Sequence, residues 1–227
     1  MDPSVVYGDH MIQKCFLKIF TVKGFTANAL WSVITKAVAV CVNNPQNERN
    51  QSVCCSLLPL ALKFITSEPP QNPGIRHVLA LISSVVANNT SNQNRLRQCG
   101  GLEELAKLIK LQQSNHSDLT VSNIVYVVSA LDACIADNAS SGIEAGNLDM
   151  ISVILQFVED FDHEPADLKT LLLAVAHILE SHEKFSHCIT EGKAYDQLVK
   201  LLTTSQDEEL FKTIKYIFSL CRVKGRL

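Results

Sequence analysis

Apolar residues recur along this chain at the spacing of one face of an α-helix. Three segments share the spacing i, i+3, i+4, i+7, i+10 and i+11 without a gap. They are Ile75, Val78, Leu79, Ile82, Val85 and Val86; Ile124, Val127, Val128, Leu131, Cys134 and Ile135; and Leu168, Leu171, Leu172, Val175, Ile178 and Leu179. Because an α-helix makes one turn every 3.6 residues, each set forms an apolar stripe along one side of a helix. The sequence therefore predicts three long amphipathic helices.

Two weaker stripes lie nearer the ends of the chain. The first comprises Trp31, Ile34, Val38, Cys41 and Val42 around the polar Thr35, and the second comprises Phe211, Ile214, Phe218 and Cys221, interrupted by Lys215 and Arg222. The five stripes start at positions 31, 75, 124, 168 and 211, so the steps between them are 44, 49, 44 and 43 residues. A step of this length is typical of helical repeat proteins.

A second set of helices alternates with the stripes. Its marker is an apolar doublet at residues 64–65, 108–109, 154–155 and 201–202. Gly101, Gly146 and Gly192 precede three of these doublets, and we expect a positive φ and a sharp turn at each. Polar segments follow the stripes at residues 43–45, 88–91, 137–140 and 181–182. They predict turns in which Asn ends one helix and Ser or Thr caps the next. Ser205 and Glu208 have the spacing of a capping box for the last helix.

The repeated pattern predicts an all-α, armadillo/HEAT-like, right-handed solenoid of about four repeats. In such an array neither helix of a pair buries its apolar face alone, so stacked neighbours supply the core. We expect residues 1–227 to form a single repeat domain, with a partial first repeat in residues 1–24. The alternative is a non-repeating helical bundle with accidental regularity.

The amino-acid composition excludes several classes of protein. Hydrophobic residues make up 47% of the chain and charged residues 19%, which is too apolar for a disordered protein. The net charge of -3 gives no general preference for nucleic acid or acidic membranes. Residues 1–15 carry no secretory signal, and no apolar run is long enough to predict a transmembrane helix. The eight cysteines are therefore expected to be reduced thiols in the nucleus or cytosol.

Candidate chemistry is sparse. His177, His182 and His187 recur every five residues, so on a helix their side chains point about 140° apart and do not converge on one ligand. We expect surface histidines, with a zinc site that includes Cys188 as the alternative. The adjacent pair at residues 54–55 lacks the spacing of a redox or zinc motif. We expect no catalytic, cofactor-binding or metal-binding residue, and therefore no enzyme and no cofactor.

Residues 92–102 (NQNRLRQCGGL) resemble the loop-plus-helix stretch of armadillo repeats. Peptide-binding armadillo proteins present a ladder of Asn side chains from their long helix. The corresponding positions in this chain are Ala39, Ser84, Ala133 and His177. The resemblance therefore does not extend to the groove that binds extended basic peptides, and the protein-binding residues stay unassigned.

Residues 30–60 show a more specific resemblance, to the armadillo region of the bouquet-formation family of meiotic telomere proteins. It is carried by residues 41–47 (CVNNPQN) and 54–57 (CCSL), with further matches at residues 131–138 (LDACIADN) and 205–210 (SQDEEL). It covers roughly residues 9–222. It implies a non-enzymatic scaffold that attaches telomeres to the inner nuclear membrane of meiotic cells, for bouquet formation and homologue pairing.

The resemblance also implies partners and limits. The family works with a second bouquet protein, a membrane-anchored bouquet partner, a shelterin telomere protein and proteins of the nuclear-envelope bridge. By comparison with the family, we expect residues 1–227 to begin within the repeat array and to hold neither the linker that carries partner motifs nor the C-terminal Myb-like domain. We therefore expect no direct DNA binding and only peripheral membrane contact through partners. The alternative function is that of a generic armadillo adaptor in cytosolic signalling or transport.

Overall fold

The computed structural model describes residues 35–40, 42, 48–69, 72–114, 118–160, 164–191 and 193–222. These ranges contain helices and turns and no strand. Several predictions from the sequence lie outside them. These are the partial repeat in residues 1–24, the stripe positions Trp31, Ile34 and Cys41, and the glycine turn at Gly192.

The chain divides into two compact units, Met1–Glu104 and Leu105–Leu227. In the first unit, residues 35–40 and 42 are helical. They are followed by α1 (Glu48–Cys54), a 3-10 turn (Cys55–Leu57), α2 (Leu58–Ser67), α3 (Gly74–Val86), α4 (Thr90–Gln98) and the first residues of α5 (Gly101–Ser114).

The second unit contains the rest of α5 and the helices that follow it. These are α6 (Asp118–Ile135), α7 (Ala139–Asn147), α8 (Met150–Asp160), α9 (Pro165–Ser181), a 3-10 turn (Glu183–Ser186), α10 (His187–Thr190), α11 (Lys193–Thr204) and α12 (Glu208–Arg222).

The apolar stripes form the core, as predicted. Every member of the three gapless stripes is buried, as are the doublets at 64–65, 108–109 and 154–155. The last stripe is only partly buried. Ile214 and Cys221 are buried, but Phe211 is 37% exposed and its ring lies 4.5 Å from the ammonium group of Lys215.

Two repeats within the described residues begin with a short helix that was not predicted from the sequence. The polar segments at 88–91 and 137–140, which we expected to be turns between two helices, contain the starts of α4 and α7. A repeat therefore consists of a short helix followed by the two longer ones, instead of two helices. Only Asn92, Gln93 and Leu96 of α4 are buried, so this helix carries no apolar stripe that a search for periodicity would detect.

Two neighbouring polar residues make each of these helix starts. Asn88 and Asp137 have φ of 50° and 55°, the left-handed conformation that ends the preceding helix. Asn89 and Asn138 then act as N-caps, because their side-chain oxygens accept hydrogen bonds of 3.1 and 3.2 Å from the backbone N–H three residues on. The prediction that Ser or Thr would cap these helices was therefore wrong.

The glycines serve close packing instead of the expected turns. The positive φ near the start of α5 belongs to Gly100, at 74°, and not to Gly101, which is already helical. A Cβ on Gly101 would lie 2.5 Å from Cγ of Leu96. Gly146 lies inside α7, and a Cβ there would overlap the ring of Phe185. Both positions therefore need glycine because a neighbouring side chain occupies the space.

The cap of α12 also differs from the prediction. The Asp207 carboxylate accepts a hydrogen bond of 2.7 Å from the backbone N–H of Leu210, so Asp207 is the N-cap. The hydroxyl of Ser205 accepts a bond of 3.1 Å from the N–H of Asp207 and supports the turn before the helix. The predicted capping box between Ser205 and Glu208 was therefore wrong by two residues.

A buried amide joins successive repeats in the first unit. The Nε2 of Gln51 donates to the carbonyl oxygens of Ser84 (3.0 Å) and Ala87 (2.8 Å) at the end of α3. Its Oε1 accepts a bond of 3.1 Å from Nδ2 of Asn89, while Nδ2 of Asn92 donates to the Gln51 carbonyl at 3.0 Å. These bonds satisfy carbonyl groups that the helix end leaves without an intrahelical partner.

Candidate protein-binding surface

Three long helices of the second unit lie side by side. α9 packs against both α6 and α12. The stripe of each helix faces the core, so the opposite sides carry exposed and half-buried polar side chains. We call this side the α6–α9–α12 surface. Its members are Tyr126 and Asp132 of α6, Lys169, His177 and Glu180 of α9, and Glu209, Lys212 and Tyr216 of α12.

One hydrogen-bonded pair links α6 to α9 on this surface. Nδ1 of His177 lies 2.7 Å from Oδ1 of Asp132, and the two side chains are 25% and 23% exposed. The hydrogen bond to Asp132 raises the pKa of His177 above its ordinary 6.5, although burial of the ring opposes the shift. The charges of Asp132, Glu180 and Asp137 raise it further because they favour the imidazolium form.

Two further contacts link α9 to α12. The Tyr216 hydroxyl donates a hydrogen bond to Glu180, and this bond raises the pKa of Tyr216 to about 12 because ionisation of the phenol would remove it. Lys169 pairs with Glu209 at 3.4 Å. The hydrogen bond from Lys212, followed by that from Lys169, lowers the pKa of Glu209. Exposed ion pairs of this kind contribute little to stability.

A shallow cavity of about 190 Å³ lies beside His177. Its lining residues come from the end of α6, the start of α7 and the end of α9: Ile135, Asp137, Asn138, Ala139, His177, Glu180 and Ser181. The volume is below the roughly 300–1,000 Å³ usual for small-molecule sites. The groups that reach the cavity are carboxylates, an amide and a half-buried imidazole, so its chemistry suits a polar or cationic side chain better than an apolar ligand.

Two exposed aromatic side chains lie on the same surface. Tyr126 is 44% exposed and Tyr216 is 42% exposed. Tyrosine is enriched in protein interfaces because its ring buries a large area while its hydroxyl forms hydrogen bonds. The surface thus combines two exposed aromatic side chains with charged side chains of both signs.

The four positions that correspond to the Asn ladder of peptide-binding armadillo proteins have other roles in this chain. Ala39 is buried. The Ser84 hydroxyl donates to the Ala80 carbonyl within α3 at 2.9 Å. Ala133 is half-buried, and His177 bonds to Asp132.

The histidines do not converge on one ligand, and one of them is less exposed than expected. We expected His177, His182 and His187 to be surface histidines, and His177 is instead half-buried against Asp132. His182 is exposed, and its Nδ1 accepts a bond of 3.1 Å from the N–H of Lys184. Nε2 of His187 lies 3.6 Å from Sγ of the adjacent Cys188. Within the described ranges, no group of three or more metal-binding side chains comes together.

The described cysteines are free thiols. Cys54, Cys134 and Cys221 are buried, and Cys55, Cys99 and Cys188 are half-buried. Burial raises the pKa of Cys55 and Cys188, so neither thiol is activated as a nucleophile. Among the described helices, none combines the length and the apolar character needed to cross a membrane.

Asp132, Glu180 and Tyr216 were not predicted from the sequence as surface partners. For the pair of Asp132 and His177, the sequence did hold a signal, because the two residues lie 45 positions apart, which is about one repeat. Equivalent positions of successive repeats become neighbours when the long helices stack. A search for complementary side chains one repeat apart would have found this pair.

No protein-family model matches the chain. Three curated proteins are similar to it, and all are named telomere repeats-binding bouquet formation protein 1. The human protein is 31% identical over 201 residues, which covers 87% of this chain and 27% of the human protein. The mouse protein is 29% identical over 89% of this chain, and the zebrafish (Danio rerio) protein is 27% identical over 92%. The chain spans about a quarter of the length of these relatives.

Solved structures of armadillo proteins have the same fold. The armadillo repeats only protein of Plasmodium falciparum superposes with a TM-score of 0.68, covers 97% of this chain and 98% of its own, and is 12% identical. A designed armadillo repeat protein in complex with a (KR)4 peptide gives a TM-score of 0.67 at 17% identity, over 93% of this chain and 80% of its own. Such low identities establish the fold alone.

These comparisons confirm two predictions from the sequence, the all-α solenoid fold class and the resemblance to the bouquet-formation proteins. The chain therefore has the armadillo-repeat fold, and over about nine-tenths of its length its sequence is similar to telomere repeats-binding bouquet formation protein 1.

Proposed function

We propose that this protein is a non-enzymatic scaffold that binds a protein partner on the α6–α9–α12 surface. The observation that carries the proposal is the combination of two exposed tyrosines with charged groups on three helices held together by cross-helix hydrogen bonds. Helices fixed in this way present their side chains with little loss of entropy on binding. The shallow cavity beside His177 would hold one side chain of the partner instead of a substrate.

The names of the relatives support a meiotic setting for this scaffold. We place it in the nucleus, at telomeres attached to the inner nuclear membrane of meiotic cells, where it serves bouquet formation and homologue pairing. Its partners there are a second bouquet protein, a membrane-anchored bouquet protein, a shelterin telomere protein and nuclear-envelope bridge proteins. Residues 1–227 act as a single repeat domain that reaches the membrane only through these partners and does not bind DNA directly.

Affinity capture from meiotic cells tests both parts of this proposal. Tagged residues 1–227 should recover the telomere and nuclear-envelope partners and should form foci at telomeres. The double variant Tyr126→Ala/Tyr216→Ala should reduce recovery of the direct partner by about tenfold or more, because buried aromatic side chains dominate the energy of many interfaces.

The matched control removes an exposed apolar side chain elsewhere. Leu111 of α5 is 52% exposed, so Leu111→Ala should retain the partner. Unchanged recovery with the double tyrosine variant would place the binding face on other residues. A diffuse cytosolic distribution, with no telomere protein recovered, would favour a generic armadillo adaptor instead.

A further inference from the structure

The contact between α6 and α9 differs chemically from the contacts between α9 and α12. The contacts between α9 and α12 join a lysine or a tyrosine to a glutamate, and these side-chain types do not ordinarily change charge near neutral pH. An imidazole is the group that changes charge near neutrality. Of the cross-helix contacts described on this surface, the one made by His177 is therefore the one that a proton can alter.

The surroundings of His177 favour its charged form. Asp132 faces the ring from α6, Asp137 from the turn that follows α6, and Glu180 from the next turn of α9 itself. α12 contributes Tyr216, whose hydroxyl is bound to Glu180. α7 contributes Gly142, where a Cβ would lie 3.4 Å from the His177 carbonyl oxygen. Glu144, the carboxylate of α7, is not among the charges that shift the pKa of His177.

We propose that the His177–Asp132 pair is a proton-dependent clasp that fixes α9 against α6 and so regulates the α6–α9–α12 surface. The regulatory part of this inference rests on the protein-binding function proposed above. With the proton, a charge-assisted hydrogen bond joins the two helices. Without it, the attraction between opposite charges is lost, and only the tautomer that carries its proton on Nδ1 still donates to the Asp132 carboxylate. The surface then has one more unit of net negative charge.

The direction of the effect follows from linkage. The pKa of His177 is higher in the folded state than the 6.5 of an ordinary histidine. The stability that the clasp contributes is therefore fully present below about pH 6.5 and is lost as the pH rises through the folded pKa. Acidification strengthens the clasp, and mild alkalinisation weakens it.

Histidine titration by NMR tests the clasp in the whole chain without any partner. His177 should titrate above pH 6.5, and Asp132→Asn should lower that midpoint, because an amide still accepts the hydrogen bond but carries no charge. The ring resonances of Tyr126 and Tyr216 should follow the His177 midpoint in the original chain. A His177 midpoint at or below 6.5, or tyrosine resonances that ignore its titration, would overturn the proposal.

Thermal unfolding at pH 6.0 and 8.5 gives a second readout. We expect the Tm of the original chain to fall between pH 6.0 and pH 8.5. The fall should exceed that of Asp132→Asn and of His177→Gln by about 2–4 °C. His77→Gln is the matched control. Burial, Lys36 and Arg76 lower the pKa of His77, which is opposite in direction to the shift of His177, so the variant should keep the loss in Tm.

Failure of the clasp and failure of the proposed function are separable. An equal pH response in the original chain and in Asp132→Asn would rule out the clasp and leave partner capture by the tyrosines intact. Conversely, the pH response of the clasp could appear as expected while the double tyrosine variant still captures the partner. The proton-dependent contact would then stand, and its regulatory role would be ruled out.

Discussion

Gln51 shows how one polar side chain holds two repeats together. Its amide is fully buried and uses both its donor and its acceptor groups, with partners on α3 and at the cap of α4. If an apolar side chain replaced Gln51, each of these partners would lose a hydrogen bond, and no water would reach the interior to replace it. The amide therefore specifies the position of α1 against the next repeat more strictly than an apolar side chain of the same size.

Replacing Gln51 by Leu should lower the free energy of unfolding by about 2 kcal/mol, because it leaves the carbonyls of Ser84 and Ala87 buried and unpaired. The corresponding loss in Tm is about 4–8 °C for a chain of this size. Urea denaturation followed by circular dichroism measures the difference. Gln98→Leu, at an exposed position on α4, is the control, and equal stability of the two variants would contradict this account.

Contacts between individual side chains were the features that the sequence predicted least well. Gly146 was correctly singled out by its position in the repeat, but its reason is the ring of Phe185, which is 39 residues away in the chain. Asp132 and His177 meet only because two long helices stack. Contacts of this kind depend on which side chains face each other across the core, and periodicity along the chain does not contain that information.

At the scale of elements, apolar spacing predicted the long helices and missed the short ones. The stripes at 75, 124, 168 and 211 correspond to α3, α6, α9 and α12. α4 and α7 span nine residues each and are polar or rich in small side chains. Such short helices gain their stability from caps and from neighbouring repeats, and intrinsic periodicity contributes little.

The cap of α7 should therefore matter more than its helix propensity. Asn138→Ala removes the acceptor for the Ser141 N–H and should cost about 1–2 kcal/mol of unfolding free energy. Asn138→Asp keeps an acceptor and should recover most of that loss. Ser140→Ala, at the exposed neighbouring position, should have little effect, and a similar cost for all three variants would show that the cap is not the cause.

For the whole molecule, the repeat period was sufficient to predict the fold class. A step of 43–49 residues between stripes requires each repeat to bury its apolar faces against its neighbours, and solved armadillo structures confirm this architecture. The proposed binding surface could not be predicted in the same way. It consists of the sides of α6, α9 and α12 that face away from the core, where no apolar spacing marks the residues.

Stability should be distributed by repeat instead of uniformly. In repeat proteins each repeat contacts mainly its neighbours, so damage to one repeat weakens it first. We expect Gln51→Leu to reduce amide protection more within Met1–Glu104 than within Leu105–Leu227. Hydrogen exchange read by mass spectrometry resolves the two units. An equal loss of protection in both units would mean that the chain unfolds as one cooperative block.

The buried cysteines can report how often each part of the chain opens. Cys54 lies within the first unit and Cys134 within the second, and Sγ of Cys134 donates to the Ala130 carbonyl at 2.9 Å inside the apolar stripe of α6. A thiol-modifying reagent reaches such a sulfur only when its helix separates from the core. The time each thiol survives in the reagent therefore reports how often its own repeat opens, in the unaltered chain and in a cell extract as well as in pure solution.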